Sequence, residues 1–480
     1  MVGNTQVGGL APGAADLVAT ALAISEGDAP PVVLVFADLH CGGAALWREL
    51  SRITGVPLQR LILAGTHTHA GPGHTYGSAV YNAMCTPAPW PWPVRAGALA
   101  RQIAPAVRQA VEGRVVGGLA LSRVPAWGIA SNRAVPAVMR LDLREVGAFA
   151  KVGPGQGAPP GIISDGLRDP RVSTLVAFDQ RGRPFGALAT VAIHGTASGP
   201  AHPHWSADWA GPGRTLAEEG LGDVIVGYAG GSSGDVSPLP LDEEGEVRTP
   251  TAGPRAHISQ GPELARVVGE GVAEALQTAV HAAEPGPVPV SVAHTMWRPE
   301  EDPRLGLPTP GLATAGGGID GTRSDAAWEA LGTGVHGSGY QRVASKALPP
   351  PQHPKVPIQF AESLGAIPVA QLASRLGPRS LPLHAVALGD VTLVTVPGEP
   401  STFVGWRIER AVRKAVGGRV VVLGYAGDYA GYWVTPEAYD EQRYEGASTL
   451  FGRLASTALQ EQLVHLARQA RYASPSTSGA

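Results

Sequence analysis

The sequence predicts an α/β fold in one large layered domain. Strand-like apolar runs alternate with helix-period segments, Gly and Pro punctuate the junctions, and residue types that bind metals recur at the ends of the strand-like runs.

Taken in order, residues 31–37 (PVVLVFA) read as a buried strand, 43–52 as a helix ended near Gly55, and 60–65 (RLILAG) as the next strand, together a βαβ unit. Apolar residues at Val94, Ile103, Val107 and Val111 mark a helix with a kink expected at Pro105. Residues 172–193 read as two strands around the turn QRGR, the second ending at His194. A short apolar run at 223–229, an amphipathic helix at 262–280 and a strand at 286–296 follow. From 298 to 382 the chain is dense in Pro and Gly and reads as an excursion over the surface or a lid, because ligand-type residues recur beyond it. Residues 384–396 read as two strands about a Gly-Asp turn, followed by a helix with Val404, Ile408, Val412 and Val416 on one face. The strand RVVVLGYAG and a helix over 450–470 complete the domain, and 471–480 read as a disordered tail. No internal repeat is visible in the sequence.

Composition narrows the chemistry. A chain of 480 residues with 44% hydrophobic residues buries a large core. A net charge of -3 provides neither a basic stripe for nucleic acid nor a polybasic segment for anionic lipid, so a small neutral or apolar substrate is expected. No run approaches the roughly 20 apolar residues of a membrane span. The N-terminal stretch lacks the basic and apolar regions of a secretory signal, which favours a cytoplasmic location for the chain as given. Cys41 and Cys85 form neither a metal spacing nor a disulfide framework.

The ligand-type residues form a pattern. His67 and His69 follow one strand in LILAGTHTHAGPG, His194 ends another, Glu399 follows a third, and a loop with Tyr425, Tyr429, Tyr432, Tyr439 and Tyr444 follows the last. Loops beyond the carboxyl ends of parallel strands meet on one sheet edge, so residues distant in sequence are able to converge. An extended His-x-His points both rings to one side: either both approach one metal, or one ligates while the other stands beside it for acid/base work. The bland alternative is a satisfied polar pair near a turn. Pro400 at a first helical position would set Glu399 at the positive end of the following helix, as a ligand or as a plain N-terminal helix charge. Most of the tyrosines read as core with a polar handle. GGSSG at 230–234 matches a nucleophile elbow in letters only, since Pro238 and Pro240 deny it the required helix.

The set GTHTHAGPG, SNRAVP, AIHGT with SADWAG, GDVSP, TVPGEPSTF and GDYAGYWVTPEAYDEQRYEGASTLFG, in this order across residues 60–452, resembles the neutral ceramidase family of zinc-dependent amidases. The resemblance implies mixed β-sheets flanked by helices over 1–470, one Zn2+ per chain, and hydrolysis of the amide of N-acylsphingosines to fatty acid and sphingoid base. It also implies the zinc ligands His67, His194, Glu399 and Tyr432, and places His69, Arg133 and Tyr444 around the scissile carbonyl. Ser237 matches a serine implicated in catalysis in the family, while the zinc mechanism needs no serine nucleophile.

The chain departs from the pattern in three ways. HGTASGPAHPHWSADWAG replaces an Asn-rich stretch ending in a Ser-Ser-Asp-Asn pattern, and the family's C-terminal immunoglobulin-like domain and export signal are expected to be absent from the chain as given. Three other readings follow: a zinc hydrolase of a different amide or ester; a (β/α)8 amidohydrolase, which would need further histidines and an Asp at later strand ends; and a lipid-binding module without turnover, suggested by Trp90 and Trp92 in CTPAPWPWPV. His40, His74, His202 and His204 lie in promising loops without an assigned role.

Overall fold

A computed structural model describes residues 2–7, 17–84, 92–158, 163–199, 205–238, 260–311, 314, 347–356 and 375–472. Residues 473–480 of the expected tail, Trp90, Cys85, His202, His204 and most of the 298–382 excursion lie outside the described residues, while residues 471 and 472 belong to the last helix.

Three four-stranded sheets share one plan. The first comprises Val2–Val7, Leu17–Ile24, Val32–Ala37 and Leu61–Gly65. The second comprises Gly117–Pro125, Arg171–Asp179, Pro184–Val191 and Ile225–Gly230, and the third Val290–Trp297, Leu381–Leu388, Val391–Thr395 and Arg419–Leu423. In each, the first three strands are antiparallel neighbours and the fourth pairs parallel to the third. A parallel neighbour requires a crossover. It is supplied by the helices Ala44–Thr54, Ala210–Leu221 and Thr402–Val416, and a second helix follows each sheet: Trp92–Glu112, Pro262–His281 and Ala455–Tyr472. The described sheets therefore repeat one topology three times, although no repeat is visible in the sequence. The repeat lies in backbone pairing and burial pattern, while the side chains at equivalent positions differ.

Burial explains why the strand runs are apolar on both faces. Within Val32–Ala37, Val33, Val35 and Ala37 pack outward with Leu46, Leu50, Ile103 and Val107 of the covering helices. Leu34 and Phe36 point inward, where Leu175, Leu188, Leu388, Leu393 and Leu423 of the other two sheets meet them. The outer faces of the second and third sheets are covered in the same way, by Val268 and Val272 and by Ile408, Val412, Leu459 and Leu463. Three helix-backed sheets thus enclose one central apolar core.

The expected elements are present within a few residues of their predicted bounds. The helix Trp92–Glu112 continues through Pro105. Trp297 pairs with Leu381, so the Pro/Gly-rich segment leaves and re-enters the same sheet. Cys41 is buried and its thiol donates to the Asp428 carbonyl at 3.0 Å. No helix among the described residues is long and apolar enough to cross a membrane.

The central core predicts a mutational contrast. Leu34→Ala, at a side chain 1% exposed between sheets, is expected to cost about 2–5 kcal/mol in chemical denaturation. Val116→Ala, at a side chain 79% exposed, is expected to change stability by less than about 0.5 kcal/mol. Equal effects would mean that the inner faces do not form a shared core.

Candidate metal centre

The third and fourth strands of each sheet end on one edge of the central core, and their loops build the site. His194 stands three residues beyond Val191, the end of a third strand, and Glu399 four beyond Thr395. His67 stands two residues beyond Gly65, the end of a fourth strand, with a left-handed φ of 67°. The His-x-His is therefore not extended, contrary to expectation. The His67 backbone N–H donates to the Leu39 carbonyl and that of His69 to the Gly195 carbonyl, which fixes the kinked turn across two sheets.

Glu399 also differs from its predicted setting. Pro400 does not open a helix. Glu399 and Pro400 form a two-residue strand parallel to Tyr432–Trp433, and the helix begins at Thr402. The carboxylate at that helix N-terminus belongs to Asp235, whose Oδ1 accepts from the Thr402 N–H at 2.7 Å and the Thr402 hydroxyl at 2.8 Å. Glu399 is left to face the histidines.

His67 Nε2 and His194 Nε2 lie 3.2 Å and 3.1 Å from the same carboxylate oxygen, Glu399 Oε2, and all three residues are at most 1% exposed. His67 Nδ1 meets the His40 carbonyl at 2.9 Å, and His194 Nδ1 the Ser233 carbonyl at 2.7 Å. A carbonyl only accepts, so each Nδ1 carries a proton, and Nε2 is the nitrogen that each ring turns toward the carboxylate. Burial weighs against charge on both partners. It drives His67 below its ordinary value, while His67 and His194 hold the Glu399 carboxyl well below the usual range against that burial. Two imidazole nitrogens and a carboxylate oxygen thus converge on one point among buried residues, an arrangement that a cation satisfies. Bonds of about 2.0–2.1 Å to a tetrahedral zinc imply donor–donor edges of about 3.3 Å, close to those found.

The other carboxylate oxygen is also held: the Tyr429 hydroxyl donates to Glu399 Oε1 at 2.5 Å. Tyr432 Oη lies 3.5 Å from His194 Nε2 and accepts from Arg133 Nη2 at 3.1 Å, which places this expected ligand at the edge of the donor set. The Arg133 side chain is buried, with Nε donating to Glu445 Oε1 at 2.9 Å and Nη2 to the Gly234 carbonyl at 3.0 Å. Its guanidinium carbon is 5.9 Å from the Tyr444 ring centroid, and Tyr444 in turn packs edge-on against Tyr432. Burial pushes both tyrosine hydroxyls above their ordinary value. His69 is exposed, its Nε2 3.2 Å from His67 Nε2.

Ser237 is buried on the short strand Val236–Ser237, antiparallel to Ser131–Asn132, in the wall carrying Arg133 and His194. GGSSG continues into this strand and not into a helix, as the prolines require. Sequence reasoning listed Tyr425 and Tyr429 without a role for either and did not name Glu445 or Asp235. Their signal, a tyrosine-rich loop and acidic residues beside the motif residues, does not say which side chains turn inward.

The description "Neutral/alkaline non-lysosomal ceramidase, N-terminal" matches residues 288–461 as a family model. The neutral ceramidase of Mycobacterium tuberculosis is 28% identical over 458 residues, covering 88% of this chain and 65% of the relative. Residues 288–461 thus carry the neutral/alkaline ceramidase match, and the chain is similar to neutral ceramidases over most of its length. Neutral ceramidase A of Dictyostelium discoideum is 25% identical over 354 residues, and the chain spans 48% of its length. This chain thus covers less than two thirds of either of these curated relatives. Two ceramidase structures match it over 100% of its length. One is titled "Ceramidase complexed with C2" (TM-score 0.72, 76% of that chain), and the other is the Pseudomonas aeruginosa neutral ceramidase (TM-score 0.71, 75% of that chain). At 22% identity, both establish the ceramidase fold.

Because Tyr429 anchors the oxygen of Glu399 that does not face the histidines, Tyr429→Phe is expected to weaken metal binding about 10–100-fold. Competition against a chromophoric chelator measures this; unchanged affinity in a folded variant would remove Tyr429 from the centre.

Proposed function

We propose that this chain hydrolyses the amide bond of ceramide, or of a closely related small amphipathic amide, in a zinc-dependent reaction. The observation that carries the reading is the buried convergence of His67 Nε2, His194 Nε2 and Glu399 Oε2 beside Arg133, in a chain similar to neutral ceramidases. A zinc ion there would activate a water and polarise the amide carbonyl.

This chain's residues supply the remaining work. His67, His194 and Glu399, with Tyr432 at their edge, would hold the ion, and the carbonyls of His40 and Ser233 orient the two imidazoles. Arg133 is presented by Glu445 and the Gly234 carbonyl, positioned with Tyr444 to stabilise negative charge on the substrate oxygen. His69, exposed and adjacent to His67, is placed to move a proton to the leaving amine. Ser237 acts through its strand, since the neighbouring Val236 carbonyl receives the His194 N–H and also lies 3.1 Å from His194 Nδ1. A serine nucleophile is not required.

Purified, zinc-loaded protein is expected to release sphingosine from short- and long-chain ceramides over many turnovers, and a strong chelator should abolish release. Bound zinc without release would keep the centre and move the substrate to another amide or an ester, a reading favoured by the divergent stretch after His194. Binding without turnover would leave a lipid-binding protein. Arg133→Ala is expected to lower kcat about 10²–10³-fold with metal content unchanged; loss of metal instead would make Arg133 part of the holding set.

A further inference from the structure

The threefold repeat gives the site a third position that the family reading leaves unused. The third strands end at Ala37, Val191 and Thr395, and His40, His194 and Glu399 follow them by three or four residues. Two of these equivalents belong to the buried donor set. In that set the first sheet contributes His67, from its fourth strand, in place of His40.

His40 stands close by. Its ring centroid is 4.3 Å from that of His67 and 5.0 Å from that of His69. Its Nδ1 meets the Tyr76 hydroxyl at 2.8 Å, which fixes the ring and turns Nε2 away from Tyr76. One nitrogen from each of His40, His67 and His69 lies within 4.8 Å of the other two, as do the ligand atoms of His67, His194 and Glu399. The two groups share His67, and their exposure is graded: the inner group is fully buried, His40 is half-buried and His69 exposed. His67 Nδ1 is engaged by the His40 carbonyl, so a single nitrogen, Nε2, serves both groups and cannot bond two ions at once.

We propose that His40, His67 and His69 form a second, outer cation position of three imidazoles, which takes a first-row divalent ion from solvent and passes it to His67, His194 and Glu399 by exchange about His67. Three neutral imidazoles select zinc, copper, nickel or cobalt over magnesium and calcium. The exposed edge at His69 offers an ion its first contact from solvent, whereas all three inner donors are buried. The inference rests on the inner group being a metal centre, but its test does not rely on hydrolysis.

Glu399→Leu removes the inner anionic oxygen and leaves the three outer imidazoles. Metal-free Glu399→Leu protein is expected to bind one Cu2+ per chain with three nitrogen ligands in its electron paramagnetic resonance spectrum. Adding His40→Phe, which keeps the backbone carbonyl that holds His67, should weaken that binding at least about tenfold. In the otherwise unaltered chain, His40→Phe should leave one Co2+ per chain and slow both its uptake by metal-free protein and its chelator-driven release several-fold. No ion on Glu399→Leu, or the same affinity with and without His40, would overturn the proposal, as would unchanged exchange rates in His40→Phe. If Glu399→Leu fails to fold by circular dichroism, the exchange rates decide alone. A chain that exchanges metal as expected yet releases no sphingosine would count against the proposed reaction and not against the outer position.

Discussion

The structure depends on the mutual burial of three sheet faces. Each four-stranded sheet has an outer face satisfied by its own two helices, and an inner face that stays apolar and exposed until the other two sheets close over it. No unit is complete alone. The loops that close the strands at one end of this core are consequently held by the packing of all three, and that rigidity turns scattered histidines and a glutamate into a preorganised donor set. The energetic logic is that of a hydrophobic core placing polar groups: contacts among Leu34, Leu188 and Leu393 fix the strands, and the strands fix His67, His194 and Glu399 to within hydrogen-bonding distances.

Around that set the polar groups are arranged in pairs of opposite need. Each imidazole has a carbonyl behind it, the carboxylate has a tyrosine hydroxyl behind its second oxygen, and the arginine has a carboxylate and a carbonyl behind its guanidinium. Every group of the set is thereby prevented from turning away. Such backing matters more in a buried site than on a surface, because an unpaired polar group there has no water to fall back on.

Much of this was legible in the sequence, and what was not has physical reasons. Strands such as PVVLVFA stand out because both faces are buried, and the Gly-punctuated GTHTHAGPG because ligand-type residues so rarely end an apolar run. The threefold plan was hidden because it repeats pairing and not side chains: two residues past the fourth strands stand His67, Ser232 and Tyr425, which share no chemistry. Two of them nevertheless share a left-handed φ and stack at 3.9 Å, a kinship visible only in the backbone. Local rules also misplaced Glu399. Pro400 is a fair helix opener, but pairing with Tyr432 and Trp433 holds it in a strand, and Asp235, far away in sequence, occupies the helix start.

The three inner donors come one from each repeat, separated by long stretches of chain. An ion bound there is therefore a cross-link as well as a reagent: it closes two large loops at once, and it finds its full donor set only after all three sheets have docked. Metal affinity then reports the assembly of the whole chain, and a fragment that folds two repeats correctly still lacks the third point of attachment. The same residues that prepare the centre for chemistry also make it a checkpoint on folding.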